Sequence, residues 1–297
     1  MLSPLYRQMT QMGMAQGASP VATYTVTTTG AATHTIASLT VSASTVVDWG
    51  DGSADTYTGA GVRAHNYAGA GVWTVTVLAP LNVTALTLSD NKVTLSSAEI
   101  KTMTNMATFQ ANALKAGQFD SADVSAWRPS SFILYSMPAG YAGTFDSADV
   151  SAWRPSSFLL RSMPAGYAGT FDSADVSAWR PLSFYLYSMP AGYAITITAN
   201  GFAAWTTTND FQVQGNALSQ AQVNAILWDL YQASIAPRTA AGGTINVGGT
   251  NAAPSGTYQA CASPPVTAAT PGKEIAHELK NDTIGAFANH WTTVTTS

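Results

Sequence analysis

Cysteine is nearly absent. Cys261 is the only one in 297 residues, which excludes an intrachain disulfide and any zinc site built from cysteine pairs. Charge is scarce as well. Twelve Lys and Arg stand against sixteen Asp and Glu, for a net charge of −4, and charged residues make up 9% of the chain, against roughly 25% in an average soluble domain. The basic footprint of a nucleic-acid binder is missing, so no nucleic-acid partner is expected. No run approaches the roughly 18 apolar residues of a transmembrane helix, so no membrane insertion is expected. Met1 to Thr10 lack the unbroken apolar stretch of a signal peptide. The expectation is synthesis in a cytoplasm and, for work outside a cell, exit by some other route.

Catalytic motifs are missing too. Glu274-Ile-Ala-His277-Glu278 continues as Leu279-Lys280-Asn281, so the two-histidine spacing of a zincin is not met. No Gly-rich loop ends in Gly-Lys-Ser/Thr, and no Gly-x-Ser-x-Gly elbow occurs. The chain is therefore expected not to be an enzyme.

What is present is apolar and rich in strand formers. Hydrophobic residues reach 46%, with 8 Trp, 12 Tyr and 10 Phe. The polar remainder is mostly Thr, Ser and Asn, and Thr, Val, Tyr and Trp favour strands. The length suggests about two domains. Residues 1–20 form a Met- and Gln-rich arm in which Leu5, Met9 and Met12 share one face of a short helix; they are candidates for docking to a partner. From 21 to 80, short strands are expected at Thr23–Thr27, Thr35–Val41, Ser44–Trp49 and Val72–Leu78. Gly50-Asp-Gly-Ser and Gly59-Ala-Gly are expected as turns between them.

Within that segment Val47-Asp-Trp-Gly-Asp-Gly-Ser53, His65-Asn-Tyr67 and Gly71-Val-Trp-Thr-Val-Thr-Val77 follow in order over roughly 55 residues. This segment resembles the PKD-type domain, an immunoglobulin-like β-sandwich. The resemblance implies an extracellular or virion-surface spacer or adhesion module. Asp48, Asp51 and Asp55 admit two readings: a structural calcium loop, which would be the only cofactor, or side chains that hydrogen-bond turn backbone, the favoured one.

Residues 119–196 hold three gapless blocks of 26 residues. Phe119-Asp-Ser-Ala-Asp-Val-Ser-Ala-Trp-Arg-Pro recurs from Phe145 and from Phe171, and each block continues through Ser-Met-Pro-Ala-Gly-Tyr-Ala. A degenerate fourth turn places Ile197, Phe202 and Trp205 at the same spacing, and another precedes the blocks from near Val93. A period of this length means a stack of coils, each hiding its apolar face only against its neighbours. Within a block, Asp120 is expected to cap a short helical turn, with Val124 and Trp127 inward. Pro129 ends the turn, and Phe132 and Leu134 alternate inward from a strand. Ser96-Ser-Ala-Glu99 and Ser219-Gln-Ala-Gln222 both have capping-box spacing ahead of apolar helical faces.

The blocks, together with Leu218-Ser-Gln-Ala-Gln-Val-Asn-Ala-Ile-Leu-Trp-Asp-Leu230 and Gly243-Thr-Ile-Asn-Val-Gly-Gly-Thr-Asn-Ala-Ala-Pro-Ser-Gly256, make residues 81–297 similar to leucine-rich-repeat-like proteins of bacteriophages and bacterial surfaces. Phe, Trp and Met largely replace the Leu of the standard repeat. The expected fold class is mainly β with short helices. A docking arm (1–20) leads to a PKD-like β-sandwich (21–80) and a leucine-rich-repeat-like solenoid with 26-residue coils (81–235). A C-terminal β-rich α/β cap (236–297) follows, with a strand at 243–248, a helix at 273–280 and a final strand from Trp291.

The repeats carry their own comparison. They differ at Ser130/Ser156/Leu182, Ile133/Leu159/Tyr185, Tyr135/Arg161/Tyr187 and Gly143/Gly169/Ile195. The second and third columns alternate with Phe132 and Leu134, so they should face outward. Ile133, Tyr135, Leu159, Arg161, Tyr185 and Tyr187 are therefore candidates for a ligand or partner face, because Tyr and Arg favour binding hot spots; drift at exposed positions is the competing explanation. Asp120/Asp146/Asp172 and Asp123/Asp149/Asp175 form two carboxylate ladders. Capping plus pairing with Arg128/Arg154/Arg180 is the leading account, ahead of a metal or a glycosidase pair.

Taken with the resemblance, the expectation is a non-enzymatic bacteriophage virion protein: a tail-fibre, receptor-binding or capsid-decoration subunit. It would be assembled in the host cytoplasm, with other virion proteins, a homo-oligomer and a host-surface glycan or protein as partners. A bacterial surface adhesin or carbohydrate-binding module is the first alternative, and a glycan depolymerase tailspike the second.

Overall fold

The computed structural model describes residues 20–236, 238–239, 242–287 and 289–296. The candidate docking residues Leu5, Met9 and Met12 lie outside the described residues. The protein is mainly β, about 15% helical, with a β-solenoid of about five turns.

The N-terminal strands are β1 (Val21–Thr28), β2 (Ala32–Asp48), β3 (Ala54–Tyr67) and β4 (Gly71–Leu78). β1 alternates buried and half-buried residues along its whole length, placing Ala22, Tyr24 and Val26 in the core. Two of the expected strands are one. β2 runs unbroken through 35–48, and irregularities between Ile36 and Leu39 and between Val41 and Thr45 bend it. Such bulges re-aim a strand without ending it. The expected turn at Gly59-Ala-Gly61 is not a turn either. It lies inside β3, whose residues are mostly exposed. A strand with no buried stripe shows no alternation in sequence, which is why β3 escaped notice.

The solenoid strands are β5 (Val83–Leu88), β6 (Val93–Ser96), β7 (Thr108–Asn112), β8 (Ala116–Gln118), β9 (Ser131–Tyr135), β10 (Gly143–Thr144), β11 (Ser157–Arg161), β12 (Tyr167–Asp172), β13 (Ser183–Tyr187), β14 (Tyr193–Thr196), β15 (Asp210–Gln212), β16 (Thr244–Asn246) and β17 (Thr293–Thr295). β5, β7, β9, β11, β13, β15, β16 and β17 form one parallel wall, each pairing with the next. β10, β12 and β14 form a second, shorter parallel sheet. Hydrogen bonding crosses residue 80 without a break: β5 pairs antiparallel with β2, and β6 with β1. The bent N-terminal sheet thus supplies the edges on which the first coil is laid, and covers what would be open strand edges.

Inside the coils, one aromatic from each rung stacks on the next. Phe109, Phe132, Phe158, Phe184 and Phe211 follow with ring centroids 5.5–5.7 Å apart. Each of Trp127, Trp153, Trp179 and Trp205 leans on the phenylalanine of the preceding rung at 5.0–5.3 Å. All nine rings are 1% exposed or less. Such pairs contribute roughly 0.5–1.5 kcal/mol each beyond area burial.

Hydroxyls and carboxylates fix the coil period. Ser121–Val124 and Ser147–Val150 form single 3-10 turns. The buried Ser97, Ser121 and Ser147 each donate to an aspartate one coil ahead: Asp123 at 2.6 Å, Asp149 at 2.5 Å and Asp175 at 2.5 Å. The same serine oxygens accept the backbone amides of Asp120, Asp146 and Asp172 at 2.8–2.9 Å. This corrects two expectations. Asp120 and Asp146 make no side-chain cap; they accept the Thr144 and Thr170 amides of the following coil at 2.8 Å. Only Asp172 of the three bonds an amide of its own turn, Ala174 at 2.9 Å. Arg128, Arg154 and Arg180 do not pair with the aspartates. Each donates Nη1 to the Ser and Trp carbonyls that end its turn, where a cation meets the exposed carbonyl end. Neutral donors hold the carboxylate ladders.

The two capping boxes divide. Ser219 and Gln222 make both reciprocal bonds and start the helix Gln220–Ile235. Ser96 makes none, and Ser97–Ile100 is a single turn, because Ser97 serves the inter-coil ladder instead. The long helix lies against the last coil. Its buried Asp229 accepts the Asn200 amide at 3.0 Å and the Phe202 amide at 3.1 Å. Burial raises the Asp229 carboxyl above its ordinary pKa even so. The helix Gly272–Asn281 follows. Between the two, Arg238 is 2% exposed, with its guanidinium 3.9 Å from the Trp291 ring centroid. It donates to the carbonyls of Thr208 and Gly242, and desolvation lowers its pKa to about 10.

One buried network ties the N-terminal sheet to the first coil. The Tyr24 hydroxyl meets His34 Nε2 at 3.0 Å, and His34 Nδ1 meets Asp90 Oδ2 at 2.9 Å. Lys92 bonds Asp90 Oδ1 through Nζ and its amide, both at 3.0 Å. Burial alone would raise the Asp90 carboxyl, but the bonds from His34 and Lys92 outweigh it and hold the group well below the usual carboxylate range. A depressed folded pKa gives stability that is complete above the unfolded value, about 3.9, declines below it, and is lost only as pH falls through the lower folded value. Urea unfolding is expected to show Asp90→Asn costing most at pH 7 and measurably less at pH 3, where the loss has begun but the folded carboxylate is still ionised. An equal deficit at both pH values would refute the linkage.

Candidate recognition face

The outward positions of the parallel wall form three columns. The first runs Thr108, Ser131, Ser157, Ser183, Asp210, Thr244 and Thr293; the second runs Thr87, Gln110, Ile133, Leu159, Tyr185, Gln212, Asn246 and Thr295. The third runs Asn112, Tyr135, Arg161 and Tyr187. Period-2 geometry puts them there, because Phe132, Leu134 and their equivalents take the inward face. All six candidate residues, Ile133, Tyr135, Leu159, Arg161, Tyr185 and Tyr187, are half-buried on this one face. The structure brings them together as two adjacent rows. Leu182, from another varying column, is 53% exposed at their rim.

The third column is organised around its cation. Arg161 Cζ lies 4.7 Å from the Tyr135 ring centroid and 5.4 Å from that of Tyr187. Strand spacing of about 4.8 Å sets this geometry, since the three are register partners on consecutive rungs. Arg161 Nε is buried with no hydrogen-bond partner, and the ion pairs among the described residues do not include Arg161. Arg161 and Asp210 are the only charged residues in the three columns. Tyr185 packs edge-on against Tyr187 at 6.5 Å. Burial, and then the nearby Asp210 carboxylate, raises the Tyr185 hydroxyl pKa.

The flanking amides and hydroxyls were missed from the sequence. Gln110, Asn112, Gln212 and Asn246 lie outside the three near-identical blocks, so no internal comparison flagged them. The 26-residue period does not find them either: it steps from Ile133 back to Ala107 and from Tyr185 forward to Phe211, whereas strand register pairs Gln110 with Ile133 and Gln212 with Tyr185, 23 and 27 residues away. Near Asn112 the face borders a polar cleft of about 450 Å³ lined by Thr33, Thr35, Ser89, Asp90, Asn91, Lys92 and Ala113, and Asn112 donates to Ser89 Oγ at 3.0 Å.

The other candidate chemistry is locally engaged. Asp48 accepts the Gly50 amide, and Asp51 accepts the Ser53 amide and hydroxyl and meets His65 Nε2 at 2.7 Å. Asp55 accepts Trp49 Nε1 at 2.8 Å and the Tyr57 hydroxyl. These are turn- and strand-holding bonds. Among the described residues no group of three or more His, Cys, Asp or Glu is gathered as for a metal, and no helix is long and apolar enough to cross a membrane. Cys261 is a buried thiol beside the Glu278 carboxylate, which accepts its amide at 2.9 Å. Comparison with family models, with curated proteins and with solved structures returns no match.

Proposed function

We propose that this chain is a non-enzymatic bacteriophage virion protein, a tail-fibre, receptor-binding or capsid-decoration subunit whose solenoid wall is its recognition face. One observation carries the reading. Buried rungs repeat almost unchanged, and three of the four varying columns lie on, or at the rim of, one partly exposed wall. Uniform rungs with a non-uniform wall suit a scaffold that presents side chains. Its middle rows hold Tyr and Arg, which favour binding hot spots. The carboxylate ladders support the same reading: each aspartate accepts a serine or threonine hydroxyl or a backbone amide, as scaffold groups do.

In this proposal the N-terminal sheet acts as a PKD-like, immunoglobulin-like spacer. The segment 236–297 is an α/β cap on a leucine-rich-repeat-like stack, and the arm bearing Leu5, Met9 and Met12 docks the chain to other virion proteins or to further copies. A bacterial surface adhesin would use the same wall, and a depolymerase would release new reducing ends from host polysaccharide. Simultaneous Tyr135→Ser, Arg161→Ser and Tyr187→Ser is expected to leave a folded protein whose attachment to host cells falls at least tenfold. A folded triple variant that attaches as well as wild type would overturn the assignment of this face, and sustained sugar release would overturn the non-enzymatic one.

A further inference from the structure

We infer that the wall binds an acidic saccharide, with Arg161 receiving the carboxylate of a uronate- or sialate-type sugar between Tyr135 and Tyr187. The inference rests on the wall being a recognition face, and it names the ligand class.

The cation is the first reason. Arg161 breaks a column that is otherwise Tyr at the equivalent positions 135 and 187. Its guanidinium lies over both tyrosine rings, and its Nε is partnerless and buried. Two rings hold the charge in place, so little side-chain freedom remains to be lost on binding. A guanidinium offers a planar fork of N–H donors that suits a carboxylate, and such charge-assisted bonds are about twice as strong as neutral ones. No protein carboxylate among the described residues uses them. One cation with no anion in its own column matches a ligand carrying one negative charge per recognised unit. A nucleic acid or a polyphosphate would call for a basic cluster.

The neighbours are the second reason. On either side of Arg161 the wall presents aromatic rings and then neutral donors and acceptors: Ser131, Ser157 and Ser183 in one column, Gln110, Gln212 and Asn246 in the next, and Asn112 beyond Tyr135. Rings cover the apolar faces of sugars, and amides and hydroxyls match their hydroxyl groups. A peptide ligand would instead be expected to add to a free strand edge, whereas these strands have neighbours on both sides.

The test uses the full chain against a panel of uronate- and sialate-bearing oligosaccharides, each paired with its methyl ester, which keeps the sugar and removes the charge. Wild type is expected to bind at least one acid roughly tenfold or more tightly than its ester. Arg161→Tyr restores the residue of the flanking rungs and so should fold with an unchanged melting temperature. It is expected to erase the preference while keeping residual binding to the ester. Equal affinity for acid and ester, an Arg161→Tyr variant that keeps the preference, or no binding to any acid would each overturn the inference. Were host attachment still lost in the Tyr135/Arg161/Tyr187 triple serine variant, the recognition face would stand and the acidic-sugar assignment alone would fall.

Discussion

Phe158→Ala is expected to lower the unfolding free energy by about 3–5 kcal/mol, whereas Leu159→Ala, one residue along the same strand, should cost about 1 kcal/mol or less. Phe158 is fully buried, with Phe132 and Phe184 stacked on its two sides at 5.7 and 5.5 Å and Trp179 at 5.2 Å. Its removal breaks the phenylalanine file in the middle of the solenoid and leaves a cavity closed by rungs that cannot collapse inward, because serine–aspartate bonds and backbone ladders hold their spacing. Each rung hides its rings only against its neighbours, so the loss weakens two interfaces at once. Leu159 faces out and is half-buried, so its truncation leaves no internal void. Guanidinium unfolding of the two variants measures the contrast. Equal losses would mean that the strand does not divide into a buried and an outward face.

Gly169→Ala is the second large effect, expected to destabilise by about 3 kcal/mol. Gly169 has φ +126°, and an added Cβ would stand 2.3 Å from the Phe145 carbonyl oxygen of the preceding coil. The conformation and the contact both oppose a side chain. Gly117 and Gly143 occupy the same column with the same conflict. Gly192 supplies the control: it sits in the turn just before β14, its φ is not positive, and nothing lies within 4 Å of an added Cβ. Gly192→Ala should stay within about 0.5 kcal/mol of wild type. The column explains its own exception. At the last coil Ile195 replaces glycine, outside the positive-φ residues. Its side chain packs against the core, and its carbonyl accepts Gln222 Nε2 of the covering helix at 2.7 Å. Thermal melts of both alanine variants decide the matter; a Gly169→Ala protein as stable as Gly192→Ala would remove the close-approach account.

Much of the architecture was legible because repetition amplifies weak signals. A single Phe-x-Leu says little, but the same pair at 132, 158 and 184 fixes an inward face and, by alternation, the outward columns at 133 and 135. The helix at 220–235 was legible from Ser219 and Gln222, whose reciprocal bonds involve four neighbouring residues and need no tertiary context. The matching spacing at Ser96–Glu99 misled for the opposite reason. A buried hydroxyl one residue on, Ser97, found partners 23 and 26 residues away, and local spacing carries no information about them. The arginines misled similarly: opposite charge suggested pairing with the aspartates, yet the nearer partners were the carbonyls closing each turn.

By itself the sequence determined the coil period, the inward rings, the alternation that turns Tyr135, Arg161 and Tyr187 outward, and the covering helix at 220–235. Each follows from short-range geometry that a chain cannot evade. Tertiary structure alone decided that serine hydroxyls satisfy the aspartates, that β3 is a strand, that the wall runs from the N-terminal sheet to β17, and that Arg161 lies between two rings without an acid. Those outcomes depend on which groups meet across coils, and hydrogen bonds form with the donor that burial brings closest.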